Sequence, residues 1–120
     1  MSDKKKIGNK GEELAAKYLL KKNYKIIEKN YRYGKGEIDI ICRDNENKNL
    51  VFVEVKSRTN LNFGDPIYAL TKSKMGQLRK IADSYLYEKQ IDDIDCRFDV
   101  VTILFHPKEK PEIKHYINAF

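Results

Sequence analysis

The sequence predicts an α/β fold, a mixed five-stranded sheet flanked by helices in the order αβββαββ. Apolar residues recur at helical spacing in two separated stretches, and five other runs are rich in strand-forming residues. One six-residue polar turn also joins two of those runs too closely for anything but an antiparallel pair. At 120 residues the chain has the size of one ordinary domain. No repeat, linker or low-complexity tract divides it, so residues 1–120 are expected to form a single domain.

Taken in order, Ile7, Leu14, Ala15, Tyr18 and Leu19 line one face of a helix expected from Ile7 to Lys22, with Gly8 and Gly11 weakening its first turn. Tyr24 to Tyr33, around Ile26 and Ile27, predicts a first strand that ends in the turn Gly34-Lys35-Gly36. Glu37 to Arg43 and Leu50 to Arg58 are the clearest strands, and Asp44 to Asn49 is the polar turn between them. Asn60 to Pro66 reads as a loop. From Lys72 to Lys89, the positions Met75, Leu78, Ile81, Ala82, Tyr85 and Leu86 define a second amphipathic helix. Cys96 to Phe105 is a strongly apolar strand and Pro107 to Pro111 a turn. Glu112 to Ile117 is a last strand, with Ile113 and Ile117 on one side.

Bulk properties narrow the function classes. A formal charge of +6 and a pI of about 9.2 favour polyanionic partners, of which nucleic acid is the commonest in a cell, although lysine-rich composition also serves solubility. No apolar stretch reaches the roughly 20 residues of a membrane span, and the Lys-rich start, Met1 to Lys6, runs into an amphipathic helix instead of an apolar signal segment. A soluble, cytoplasmic protein without a membrane partner is therefore expected. Cys42 and Cys96, each inside a strand, lack zinc-site or disulfide spacing and are expected as reduced core thiols. His106 and His115 lie far from other ligand types and are expected to be structural, and Arg97 and Asp99, on one strand face, to form an ion pair.

The hairpin yields to arithmetic. Pairing residues whose numbers sum to 93 closes the turn at Arg43 and Leu50, sets Asp39 opposite Glu54 and Glu37 opposite Lys56, and projects all four charges from one face. Opposed residues have Cβ atoms about 5 Å apart, where two carboxylates repel unless a cation lies between them. A hard divalent ion, Mg²⁺ or Mn²⁺, is the natural remedy, held by Asp39, Glu54 and a neighbouring main-chain carbonyl, that of Val55. On a phosphodiester such an ion polarises the phosphoryl group, stabilises the leaving 3′ oxygen and acidifies water. An ordinary lysine, with a pKa of about 10.4, is a poor base at neutral pH. Lys56 is accordingly expected to orient that water and offset charge. Glu12 lies about 20° from Leu19 on the helical wheel, at the border of the buried face. Glu13 points about 100° away from Glu12, so Glu12 is the candidate for a water-mediated or second metal contact.

The segments GEIDII (Gly36 to Ile41) and VFVEVKSR (Val51 to Arg58) resemble the active-site hairpin of the PD-(D/E)xK nuclease superfamily, which includes restriction enzymes and archaeal Holliday-junction resolvases. Adding Gly8, Gly11, Glu12, Gly64, Pro66, RFDVV at Arg97 to Val101 and INAF at Ile117 to Phe120, nearly the whole chain resembles the bacterial YraN family. The resemblance implies a restriction endonuclease-like core, metal-ligand roles for Asp39 and Glu54, the catalytic lysine role for Lys56 and the helix-borne acid of resolvase-like members for Glu12. Ile38 stands where the superfamily name has proline.

Each residue has a plainer reading. Asp39 and Glu54 would be solvated charges on an exposed sheet face, opposite the apolar face of Ile38, Ile40, Val51, Val53 and Val55. Lys56 would pair with Glu37 for about 0.2–1 kcal/mol, and Glu12 would be a first-turn acid complementing the helix dipole. Arg58, Lys72, Lys74 and Arg79 are candidates for phosphate contacts along a groove leading to the metal, or else surface charges. Tyr31 and Tyr33 would stack on unpaired bases or pack on the sheet. Gln77 would assist the site or be ordinary helix surface. The resulting expectation is a metal-dependent endonuclease acting on DNA, with branched or structured DNA favoured because a small domain has little surface for reading a long sequence. Reading a branch would favour a homodimer. The alternatives are a catalytically silent nucleic-acid-binding or partner-binding module on the same fold, and an RNA-processing nuclease.

Overall fold

A computed structural model describes residues 3–59 and 64–120. The order is α1 (Asp3–Lys21), β1 (Tyr24–Tyr33), β2 (Gly36–Asp44), β3 (Leu50–Arg58), a short 3-10 turn (Pro66–Ala69), α2 (Lys72–Glu88), β4 (Cys96–Leu104) and β5 (Glu112–Tyr116). The αβββαββ order and the mixed five-stranded sheet are as expected. The sheet runs β1-β2-β3-β4-β5. All neighbours are antiparallel except β3 and β4, which are parallel, because a parallel pair needs a long crossover and α2 supplies it. The sum-to-93 register holds from Arg43↔Leu50 to Ile40↔Val53.

Several expectations need correction. α1 begins at Asp3, before Ile7, so Glu12 lies more than two turns inside the helix and cannot act as a first-turn acid on its dipole. Of the loop expected over Asn60 to Pro66, residues 60–63 lie outside the described residues. Pro66 instead opens a 3-10 turn capped by Asp65. Cys42 is buried but Cys96, at the start of β4, is exposed. Ile117 lies past the end of β5, 59% exposed. Among the described residues no helix is long and apolar enough to cross a membrane.

The sheet is buried on both faces, not on one. Ile40, Cys42, Val51, Val53, Val101 and Ile103 pack with Ala15, Ala16 and Leu19 of α1. Ile38, Ile41, Leu50, Phe52 and Val100 pack with Leu78, Ile81, Ala82 and Tyr85 of α2. Ile38 and Ile40, expected on the same face, therefore belong to opposite cores. On the α2 side Phe52, Phe98 and Phe120 form a stack with ring centroids 5.4 and 4.9 Å apart.

A charged network ties the strand ends together. Arg97 of β4 donates from Nε and Nη2 to the Asp99 carboxylate, both at 2.9 Å, confirming the expected pair. It also donates to Asp44 Oδ2 at the end of β2 (3.1 Å) and to the Tyr24 hydroxyl at the start of β1 (2.6 Å). Asp99, fully buried, further meets His115 Nε2 at 2.7 Å and the Asn118 N–H at 3.0 Å. Burial alone would raise the Asp99 carboxyl, but hydrogen bonds from His115, Arg97 and Asn118 outweigh it and hold the group below its ordinary value of 3.8. Asp99→Asn leaves a buried guanidinium short of its main partner, so a loss of about 3–5 kcal/mol in unfolding free energy is expected at pH 7. Because the folded value is depressed, this stabilisation is present above pH 3.8 and is lost as pH falls through the lower folded value. Urea unfolding of both proteins at pH 7 and at pH 3 should therefore show the difference shrinking in acid. An equal difference at both pH values would refute the linkage.

Candidate metal centre

The site forms where the β2–β3 ladder stops. Its last pair is Ile40↔Val53. One residue further, the Asp39 side chain takes over the role of a strand carbonyl, its Oδ2 accepting the Val55 N–H at 2.8 Å. The β1–β2 ladder is interrupted at the same level. Lys29↔Ile40 and Tyr31↔Ile38 are paired, while Asn30 and Asp39 between them are skipped. Asn30 has φ +55, a left-handed conformation that asparagine tolerates better than most residues. This paired irregularity turns Ile38 towards α2 while Ile40 faces α1, and it brings Glu37 and Asp39 to one cleft.

Asp39 and Glu54 are 7% and 5% exposed, which rules out a solvated sheet face. Burial, then the hydrogen bond and charge of the adjacent Glu54 carboxyl, push Asp39 up to about 8, against the opposing pull of the Val55 N–H and Lys56. Glu54 Oε2 has Lys74 Nζ at 3.8 Å and Lys56 Nζ at 4.0 Å, beyond hydrogen-bonding reach. It is buried without a hydrogen-bond partner among the described residues, as is Ser57 Oγ on the same cleft. Lys56 does not form the expected pair with Glu37, which instead meets Arg32 Nε at 3.4 Å.

Glu12 reaches the cleft from α1 because the helix lies directly on β3. A β-carbon on Gly11 would overlap Ser57 Oγ, so glycine there, expected only to weaken the helix's first turn, permits the close approach. Glu12 is half-buried and Glu13 exposed, and Glu12 Oε1 accepts the Asn30 amide at 2.8 Å. Glu12, Glu37 and Asp39 each offer one carboxylate oxygen, all within 4.8 Å of one another. Burial raises the Glu12 carboxyl first, the Asn30 hydrogen bond opposes, and the charges of Asp39 and Glu37 add to the rise.

The cleft encloses about 410 Å³ and also takes in Val55, Arg58 and Thr59. Of the basic residues considered for phosphate contact, Arg58 and Lys74 line it. Lys72 is exposed outside it. Arg79 is turned away, its guanidinium 5.2 and 5.6 Å above the Phe98 and Phe120 rings. Tyr31 is buried and donates to Glu88 Oε2 at 2.6 Å, whereas Tyr33 is 58% exposed. His115 belongs to the Asp99 network and His106 faces Glu112 at 4.0 Å. Asn30 and Ser57 were not foreseen in the site, and Glu37 was expected on the same face but without a place beside Glu12. An asparagine inside a strand was the available signal for one of them, since asparagine is depleted from strands.

An all-oxygen set with an orphaned, buried carboxylate oxygen suits a hard divalent cation. Among the described residues the cleft holds no soft ligand: Cys42 lies in the α1-side core, and both histidines are engaged elsewhere.

Comparison with known proteins places the chain in a family. The model of "Uncharacterised protein family UPF0102" matches residues 11–103. A UPF0102 protein of Geobacter metallireducens is 46% identical over 116 residues, spanning 97% of this chain and 93% of its own length. One of Syntrophomonas wolfei is 46% identical over 116 residues, spanning 97% and 98%. One of Chlorobium phaeobacteroides is 40% identical over 124 aligned positions, spanning 99% and 96%. With the family model covering most of the chain and relatives matching almost end to end, the protein belongs to UPF0102, the YraN family that its motifs resemble.

Proposed function

We propose that this protein is a metal-dependent endonuclease that hydrolyses phosphodiester bonds in DNA, including branched or otherwise structured DNA. The observation that carries the reading is the burial of two adjacent carboxyl groups, Asp39 and Glu54, beside two lysines in an open cleft. A fold gains no stability from such a pair without a cation, and perturbed carboxyls in clefts cluster at functional sites.

Asp39, Glu54 and the Val55 carbonyl would hold a Mg²⁺ or Mn²⁺ ion, with Glu12 and Glu37 beside them. When bound, such an ion supplies charge stabilisation to the phosphoryl group and acidifies a water molecule. Lys56, next to Glu54, orients the attacking water and offsets negative charge as it builds on the phosphoryl oxygens. Lys74 reinforces it from α2. The Val55 N–H fixes the Asp39 carboxylate, and Asn30 fixes that of Glu12, so neither has to reorganise during reaction. Arg58 neutralises a neighbouring phosphate at the mouth of the cleft. Water adds to phosphorus and gives up a proton, the bond to the 3′ oxygen breaks as that oxygen takes a proton from solvent, and the products are a 5′ phosphate and a 3′ hydroxyl.

Purified protein incubated with branched, single-stranded and duplex DNA, and with matched RNA, in Mg²⁺ or Mn²⁺ should cleave DNA. Asp39→Ala, Glu54→Ala and Lys56→Ala should each lose about 10²–10³-fold in rate. Folded wild-type protein that cuts none of them would overturn the proposal. Cleavage confined to RNA would make it an RNA-processing nuclease. DNA affinity and cellular phenotypes that survive both Glu54→Ala and Lys56→Ala would make it a binding module.

A second expectation concerns pH. Asp39 has a folded pKa raised from 3.8 to about 8 without metal. The stability that depends on its proton is therefore complete below pH 3.8 and is lost as pH rises towards 8. A cation replaces that proton, so Mn²⁺ should raise the Tm more at pH 8 than at pH 5.5, and Asp39→Asn should remove most of the Mn²⁺ effect. A Mn²⁺ shift that is equal at both pH values, or undiminished in the variant, would argue against a cation at these oxygens.

A further inference from the structure

Beside the cleft lies a second hollow of about 270 Å³, enclosed by the β1–β2 turn and α2. Its lining includes Tyr33, Lys35 and Gly36 from the turn and Gln77, Lys80 and Ile81 from the helix. Residues close together in the chain line the two cavities. Gly36 lines the hollow and the next residue, Glu37, lines the cleft, while Lys74 lines the cleft and Gln77, one turn later, lines the hollow.

We propose that this hollow seats an unpaired nucleobase of the strand whose phosphodiester occupies the adjacent cleft, with Tyr33 as the stacking surface. The inference rests on the nuclease reading for its substrate class but on different residues. Tyr33 is 58% exposed, whereas Tyr31, two residues earlier on the same strand, is 5% exposed and packed in the core. A large exposed aromatic ring beside a hollow lined by lysines is the composition that single-stranded nucleic acid uses, bases on the ring and phosphates on the cations. Lys35 and Lys80 are exposed, and neither forms an ion pair among the described residues. The Gln77 amide offers both a donor and an acceptor to a base edge.

The turn is held against the helix in a way that sets the width of the hollow. A β-carbon at Gly36 would stand 2.6 Å from Ile81 Cδ1, and Ile81 is itself 5% exposed, so its side chain has little room to yield. Gly34, with φ +61, makes the turn tight enough to hold Tyr33 and Lys35 on either side. A base inside a regular duplex has both faces covered and cannot occupy such a seat. A flap, a gap or the branch of a junction exposes one.

Binding is measured by fluorescence anisotropy in EDTA, so that no cleavage intervenes, using a labelled single strand, a flapped hairpin, a blunt duplex and matched RNA. Tyr33→Ala should weaken single-strand and flap binding about tenfold and leave duplex binding within twofold, while Tyr33→Phe keeps wild-type affinity. Lys35→Ala with Lys80→Ala should make the salt dependence of binding shallower. Wild-type affinity of Tyr33→Ala for single strands, or an equal loss on duplex, would overturn the seat. A loss confined to RNA would retain the seat and refute DNA as its occupant. The two proposals fail separately. Glu54-dependent cleavage with no Tyr33 effect on binding removes the seat alone, and Tyr33-dependent binding by a wild-type protein that never cleaves removes the nuclease alone.

Discussion

Asp39 and Glu54 stand side by side with almost no access to water, and most of the other features of that end of the sheet follow from accommodating them. Taking each charge out of solvent costs several kcal/mol, and their mutual repulsion adds to that. The lysines at 3.8 and 4.0 Å offset part of this without reaching hydrogen-bonding distance. The Val55 N–H satisfies one oxygen of Asp39, but Glu54 Oε2 has no such partner. The fold tolerates this because the strands carrying the pair are buried on both faces, which leaves the backbone little freedom to swing either acid out to solvent.

β2 itself supplies the control. It carries one buried aspartate near each end, Asp39 and Asp44. Asp44 meets Arg97 at 3.1 Å and the Glu46 N–H at 3.0 Å, and these contacts outweigh burial and hold its carboxyl below the ordinary value. Asp39 faces another acid, and burial dominates. The same residue type on the same strand thus titrates in opposite directions according to what faces it. One end is a completed ion network that joins β1, β2, β4 and β5; the other is short of positive charge. That asymmetry separates a structural carboxylate from a candidate functional one without reference to any relative.

The element order and the hairpin register were legible because they depend on local signals: apolar spacing in the helices and a polar turn too short for any other pairing. The placement of Glu12 was legible too, since a helical wheel needs only the 3.6-residue repeat. What could not be read depends on departures from regularity. Strict alternation puts Ile38 with Ile40 and Glu37 with Lys56, but the skipped pair Asn30 and Asp39 breaks the alternation and sends Glu37 towards Glu12 and Arg32. The second buried face of the sheet was also missed, because Glu37, Asp39, Glu54 and Lys56 make the end of that face look polar while Ile41, Leu50 and Phe52 make its other end core. Arg79 was placed near phosphate on charge alone. Its position above two phenylalanine rings depends on where the residues after β5 fold back, which no local pattern specifies.

The charge distribution has a further consequence for the proposed chemistry. The chain is net positive and the rim of the cleft carries Lys56, Arg58 and Lys74, so a polyanion is drawn in from a distance. The floor opposes that attraction, because Glu12, Glu37, Asp39 and Glu54 line it together. Without a cation Asp39 keeps its proton below about pH 8, and the acidic side chains around it still face an approaching phosphate at short range. If the proposal holds, strand capture and close approach are separable: basic rim residues, with the hollow beside Tyr33, would serve the first, and the second would require a cation on the acidic floor. On the proposed reading this is how a small domain binds nucleic acid broadly yet presents a phosphodiester to its reactive groups only when metal is bound.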